Sequence, residues 1–249
     1  QIQTSYLVGD FPKVPADDYA EHGDNLQDEN GHNTPWLAGL SWPYRVTVLE
    51  QPFCAKARGG FEGMAITPDG QKLMTLLEKP LKPGCIRLAK GGILLIHEFD
   101  IASRKYTGVR YFYQLSPRGT SIGDFVLFAP NQGLVIERDD SQGQMEGFKM
   151  IYKITLKAPG EMVEKSPLVN LLKIADPNGI SHGQSGDVGI GKTFGFPFFT
   201  IESLVVINHN QIGVLNDNNY PFSVGRHVGS GQPDDNEFIL IELDKEVLQ

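Results

Sequence analysis

IESLVVINHNQIGVLNDNN, residues 201–219, can be laid over two earlier stretches of the chain, FEGMAITPDGQKLMTLLEK (61–79) and IGDFVLFAPNQGLVIERDD (122–140). Each opens near an acidic residue (Glu62, Asp124, Glu202) and continues as an apolar run of strand length. Each then turns through PDGQ, APNQ or NHNQ and runs a second apolar strand, the pattern of a β-hairpin. Each closes on further oxygen-bearing groups: Glu78, Glu137, and Asn216 with Asp217. A hairpin brings its ends together, so every repeat sets two oxygen-bearing side chains at one open end.

After the first repeat comes a second pair of strands with more alternating polarity, LLIHEFDIASRKYTGVRYFYQL (94–115), and the third is followed by EFILIELDKE (237–246). From Gly60 to the C-terminus, short apolar runs bounded by turn signals follow one another. No stretch holds a period of 3.6 for more than about two turns. VEKSPLVNLLKIAD (163–176) is the one place where a short helix is expected. Many short antiparallel strands leave a sandwich, a barrel or a propeller. Two hairpins per unit, repeated every ~40–80 residues, read as propeller blades with insertions between them. The expected fold is all-β: a β-propeller of four-stranded antiparallel blades, about five to six in number. Residues 59–249 form it. Residues 1–58, rich in Asp, Asn, Pro and Gly, are an irregular segment or a degenerate first blade, with one strand expected at Tyr44–Glu50.

The composition agrees with this. The 28 Gly and 16 Pro among 249 residues favour turns and short strands over long helices. A net charge of −8 argues against nucleic acid or an anionic membrane surface as partner, since both select basic patches. No apolar run approaches the length of a membrane span. The N-terminus, QIQTSYLVGD, has neither a basic start nor an apolar stretch, so a signal peptide either never existed or has been removed. Cys54 and Cys85 stand in loop-like settings, either as a disulfide or as two thiols; a disulfide goes with an exported protein.

In a propeller the innermost strands line a central channel and their starts converge at one mouth. Acidic groups repeated at those starts form an inward ring, an oxygen cage of the kind that suits Ca²⁺. Without a cation, carboxylates so close would raise one another's pKa. The strongest candidates are Glu62, Glu202 and the run Asn216, Asp217, Asn218 and Asn219, although Asn and Asp in succession also make tight turns. Arg58, Arg138 and Arg226 either pair with these carboxylates or bind an anionic substrate. The six histidines show no zinc spacing, but His182 (GISHGQ) and His227 (GRHVG) lie in Gly-rich loops where a general acid or base is at home.

GDVGIGKT, residues 186–193, spells the phosphate-loop pattern letter for letter. Its context argues against a nucleotide there. A turn-rich loop precedes it, and Pro197 with an aromatic β-rich run follows where the phosphate-docking helix would start.

RGGFEGMAITPDGQKL, LVIERD with KMIYKITL, FPFFTIESL, VLNDNNYPFSVGR and DDNEFILIEL together resemble the phytase-like family, whose members are described by an esterase-like activity of phytase. The resemblance runs from about Arg58 to Leu243 and implies an exported (secreted, periplasmic or extracellular) propeller that hydrolyses phosphoesters or other esters. More distantly, the acidic channel mouth is similar to that of calcium-dependent lactonase and paraoxonase propellers. That likeness implies a calcium ion held by Glu62, Glu202, Asp217 and Asn218, with a metal-bound water as attacking group. Glu62, Glu202, Asp217, His182 and Arg226 are then the catalytic candidates, acting on a small anionic or ester substrate. The alternative is a non-catalytic propeller used for binding or assembly with a protein partner, its carboxylates locked in structural ion pairs.

Overall fold

The computed structural model describes residues 60–80, 92–244 and 247–248. The N-terminal segment, the strand expected at Tyr44–Glu50, Arg58, Cys54 and Cys85 lie outside the described residues. The chain divides into two units, Gln1–Leu115 with Leu156–Val163, and Ser116–Thr155 with Glu164–Gln249.

In the first unit β1 (Phe61–Ile66), β2 (Lys72–Leu77), β3 (Ile93–Asp100) and β4 (Lys105–Gln114) form one antiparallel sheet in chain order. The β1–β2 turn is built by its own residues. Asp69 accepts from the Thr67 hydroxyl at 2.6 Å and the Gln71 N–H at 3.0 Å, and Gly70 takes φ +70. Leu73 and Phe99 are buried against Met64 and Tyr106 on one face. His97 is also buried, and desolvation, with Arg110 nearby, pushes its imidazole down to about 3.

The second unit carries a four-stranded antiparallel sheet of β5 (Ser121–Ala129), β6 (Gln132–Arg138), β7 (Lys149–Thr155) and β8 (Glu164–Asn170). A short pair, β9 (Ile174–Ala175) and β10 (Thr193–Phe194), precedes a sheet of β11 (Thr200–Asn208), β12 (Gln211–Asp217) and β13 (Phe238–Glu242). Its core joins Leu134, Ile136 and Ile151 to Phe196, Phe198, Ile201 and Val214. The three repeats of the sequence are thus the hairpins β1–β2, β5–β6 and β11–β12, each the first hairpin of its sheet.

The helix expected over 163–176 is not there; β8 occupies half of the stretch, paired with β7. Pro167 explains the outcome. Inside a helix its ring breaks the backbone bonding, whereas at an edge strand of a sheet a missing N–H is tolerated. The described residues contain no helix, and so none long and apolar enough to cross a membrane.

Strand β11 packs directly against β5. A Cβ on Gly123 would collide with the Ile201 carbonyl, so only glycine permits the approach. The next residue, Asp124, accepts the Leu204 N–H of β11 at 2.8 Å, and burial pushes its carboxyl up to about 6. The first strands of two successive sheets are therefore joined along their starts.

Candidate functional site

Each first strand carries an irregularity at its acidic residue. The register shifts between Phe61 and Gly63, between Ile122 and Phe125, and between Ile201 and Ser203, which puts Glu62, Asp124 and Glu202 within bulges. A bulge re-aims a side chain and tightens the local twist, and such kinks gather near functional sites. Sequence repetition found the acids, but the bulges became visible only in the register.

Glu62 is exposed on β1 of the first unit. In the second unit Glu202 accepts from Arg138 Nη2 at 3.1 Å, while Arg138 Nη1 lies 3.6 Å from Asp140 and its guanidinium 5.9 Å over the Phe199 ring. Beside it Lys149 is fully buried, 3.1 Å from Asp139 and donating to the Asp139 carbonyl at 2.6 Å. Burial pulls that amine down to about 8, with Asp139 working the other way.

Asp217 is exposed and its Oδ1 accepts the Asn219 N–H at 2.9 Å, the local contact of an Asx turn. Asn216 and Asn218 reach across to the 234–237 stretch: Asn216 Nδ2 donates to the Asp235 carbonyl at 2.8 Å, and Asn218 Nδ2 to the Asp234 carbonyl at 3.3 Å. Glu237 N–H returns a bond to Asn216 Oδ1 at 2.7 Å. The amide run thus braces a neighbouring segment. Glu202, Asp217 and Asn218 all have protein partners, and among the described residues no three His, Cys, Asp or Glu side chains form a metal-holding group.

Arg226 pairs with a carboxylate outside the expected set, Glu237. It is buried and grips Glu237 through Nε at 2.5 Å and Nη2 at 2.7 Å. It also donates to the Val188 carbonyl at 2.5 Å and the Gly195 carbonyl at 3.2 Å, and lies 5.1 Å over each of the Phe194 and Phe198 rings. His182 is exposed in the loop that joins β9 to β10.

The next residue after Arg226 carries the most chemistry. The His227 ring is almost fully buried, with Nδ1 2.7 Å from Asp187 Oδ1 and Nε2 3.2 Å from Asp235 Oδ2. Asp187 is as buried as the imidazole, while the Asp235 side chain is 70% exposed. Burial alone would depress His227, but the two carboxylates outweigh it and hold the ring above its ordinary value. Burial likewise raises Asp187, yet its bonds to His227 and the Gln184 N–H keep it below the usual carboxylate range. Adjacent Asp234 is buried with no hydrogen bond to either carboxylate oxygen and lies tight against the backbone of Gly225. Desolvation lifts it to about 7, helped by Glu237 and Asp235 and opposed by the Asp235 N–H and His227.

Asp187 belongs to GDVGIGKT. That loop makes turns and runs into the strand β10 at Thr193, so no helix N-terminus faces it. Its Lys192 lines a cavity of 790 Å³ together with Arg118 and Lys173, against one carboxylate, Glu146.

The model of a family described as "Phytase-like: Esterase-like activity of phytase" matches residues 28–220. The chain belongs to this phytase-like family. No curated protein matches the chain. Membership gives a hydrolase-type, esterase-like activity at a coarse level. Of the site residues expected from this phytase-like sequence, the structure brings Arg226 and Asn218 to the His227 cluster. Asp187 was missed because it lies forty residues from His227, which leaves no spacing signal, and Asp234 and Asp235 because a loop pair without a motif carries none. The nearest hint was the string DDNE, quoted only as part of a family resemblance.

Proposed function

We propose that the chain is a β-propeller hydrolase of esters whose proton-transfer group is His227, oriented by Asp187. The sheets β1–β4, β5–β8 and β11–β13 are three of its blades; their equal strand order and the β5–β11 contact support this. The observation that carries the catalytic reading is the pairing of His227 Nδ1 with buried Asp187. It fixes the tautomer and leaves Nε2 as the working nitrogen. Asp235, at 3.2 Å on a mostly exposed side chain, covers that nitrogen at rest and moves off when substrate enters. His227 then takes a proton from the attacking water and returns it to the leaving oxygen. A phosphoester is the substrate class that the family description favours.

The test is hydrolysis of p-nitrophenyl acetate and p-nitrophenyl phosphate by wild type, His227→Gln and Asp187→Asn. Loss of a general base costs about 10²–10⁴-fold, so His227→Gln is expected to lose at least 100-fold in kcat with an unchanged fold. An unaltered kcat sinks the proposal, and a wild type inert on every ester favours a binding module instead. Calcium at Glu202, Asp217 and Asn218 is a separate proposal; a melting midpoint that EDTA leaves untouched removes it. Export is proposed from the family resemblance, and periplasmic or culture-medium fractionation tests it.

A further inference from the structure

A second polar constellation lies on the sheet β5–β8. The SPRG stretch, residues 116–119, closes a turn in which Gly119 N–H donates to the Ser116 carbonyl at 2.9 Å. A Cβ on Gly119 would sit 2.8 Å from Glu137 Oε2, so this glycine lets the turn lie against that carboxylate. Ser116 N–H donates to the same oxygen at 3.0 Å. The Ser116 side chain is then caught between two groups. Its Oγ is 2.8 Å from the Tyr152 hydroxyl and 3.0 Å from Lys165 Nζ. Lys165 also pairs with Glu137 Oε1 and stands 4.3 Å over the Tyr152 ring. Glu137, Tyr152 and Lys165 come from three successive strands, β6, β7 and β8, so the sheet itself sets their spacing.

A lysine–glutamate pair by itself is ordinary scaffolding. What distinguishes this one is the hydroxyl of a half-buried serine held at hydrogen-bond distance from both an amine and a phenol. Nucleophile, base and orienting carboxylate stand in the order that activates a hydroxyl. Burial, against the pull of Glu137, holds the lysine below its usual value, in the direction that a base requires.

We propose that Ser116 is the nucleophile of a second site that cleaves short-chain carboxylic esters, with Lys165 as its base and Tyr152 as its hydrogen-bond partner. The inference rests on the hydrolase reading but not on His227. Once Lys165 has given up its proton to solvent, Ser116 Oγ bonds to the acyl carbon while its own proton passes to the free amine. The bond from that carbon to the alcohol oxygen breaks, and the Lys165 ammonium protonates the leaving alcohol. Water then adds to acyl-Ser116, its proton again carried by Lys165, and the carboxylic acid leaves as the serine hydroxyl is restored. Glu137 is a positioning residue.

A fluorophosphonate probe tests this on the full chain. The expected result is one adduct, located by peptide mass spectrometry on Ser116, absent in Ser116→Ala and formed at least 100-fold more slowly in Lys165→Arg. Lys165→Arg keeps the charge opposite Glu137, so a merely structural lysine would leave the labelling rate alone. An unlabelled Ser116 in folded wild type overturns the proposal, as does an equal rate in Lys165→Arg. Hydrolysis of p-nitrophenyl acetate separates the two sites. Activity kept in Ser116→Ala but lost in His227→Gln defeats this inference alone. Activity lost in Ser116→Ala but kept in His227→Gln defeats the His227 reading alone.

Discussion

Glu137 and Asp234 are both buried carboxylates of the second unit, one held by strands and the other by loops. Glu137 is the last residue but one of β6, where Lys165 and the Ser116 N–H meet its two oxygens. Asp234 lies in the long connection between β12 and β13, and neither of its oxygens has a hydrogen bond. A sheet delivers partners at fixed spacing, so a charge placed there is satisfied when the strands pair. A loop has no such lattice, and its residues meet through side-chain braces such as Asn218 to the Asp234 carbonyl and Arg226 to Glu237. The strand-built network is therefore closed, and the loop-built one keeps a group that changes charge near neutral pH.

The largest effect is expected where the closed network is opened. Glu137→Ala leaves the Lys165 ammonium and the Ser116 N–H without their acceptor in a buried place, which costs about 3–5 kcal/mol when one partner of such a pair is removed. Urea denaturation measures it. A loss below about 1 kcal/mol would mean that water already reaches the pair and that the contrast with Asp234 fails.

The next effect is one of pH. The folded value of Asp234, about 7, lies above its ordinary value of 3.8, so the native state binds the proton more tightly than the unfolded chain. Its contribution to stability is full below about pH 4, falls as pH rises toward 7 and is lost above that. Asp234→Asn, which cannot ionise, is expected to flatten this slope and to gain on wild type by about 1–3 kcal/mol at pH 8 relative to pH 4. Parallel wild-type and variant curves would show that Asp234 has a partner in solution.

The same contrast explains what the sequence made legible. The hairpins 61–79, 122–140 and 201–219 were readable because strand pairing repeats, and repetition in sequence is repetition in structure. The helix expected over 163–176 is absent because Pro167 breaks helical bonding, while an edge strand accommodates it. For the run Asn216–Asn219 the sequence offered both a turn and a ligand set; in the structure Asp217 makes a turn and Asn218 braces the Asp234 carbonyl. The Asp187–His227 pair had no local signature, since the two residues come from separate loops. GDVGIGKT forms no phosphate-docking helix; its Asp187 instead meets the His227 ring.

The smallest effect belongs to Asp235, and it separates the two ends of the loop network. Asp235→Asn keeps the shape and removes one carboxylate from His227 Nε2, while buried Asp187 remains on Nδ1. An exposed pair of this kind contributes at most about 1 kcal/mol, so the urea midpoint should barely move. The imidazole, however, is raised by both carboxylates against its own burial, and the loss of one should lower its titration midpoint in an NMR pH series. Such a group stabilises the fold below the unfolded histidine value near 6.5, and that contribution is lost as pH rises through the folded value. The variant should therefore lose its share on the acid side and match wild type in alkali. If the midpoint of His227 does not fall, Asp235 is turned toward solvent, and Nε2 is open to substrate without any movement of the loop.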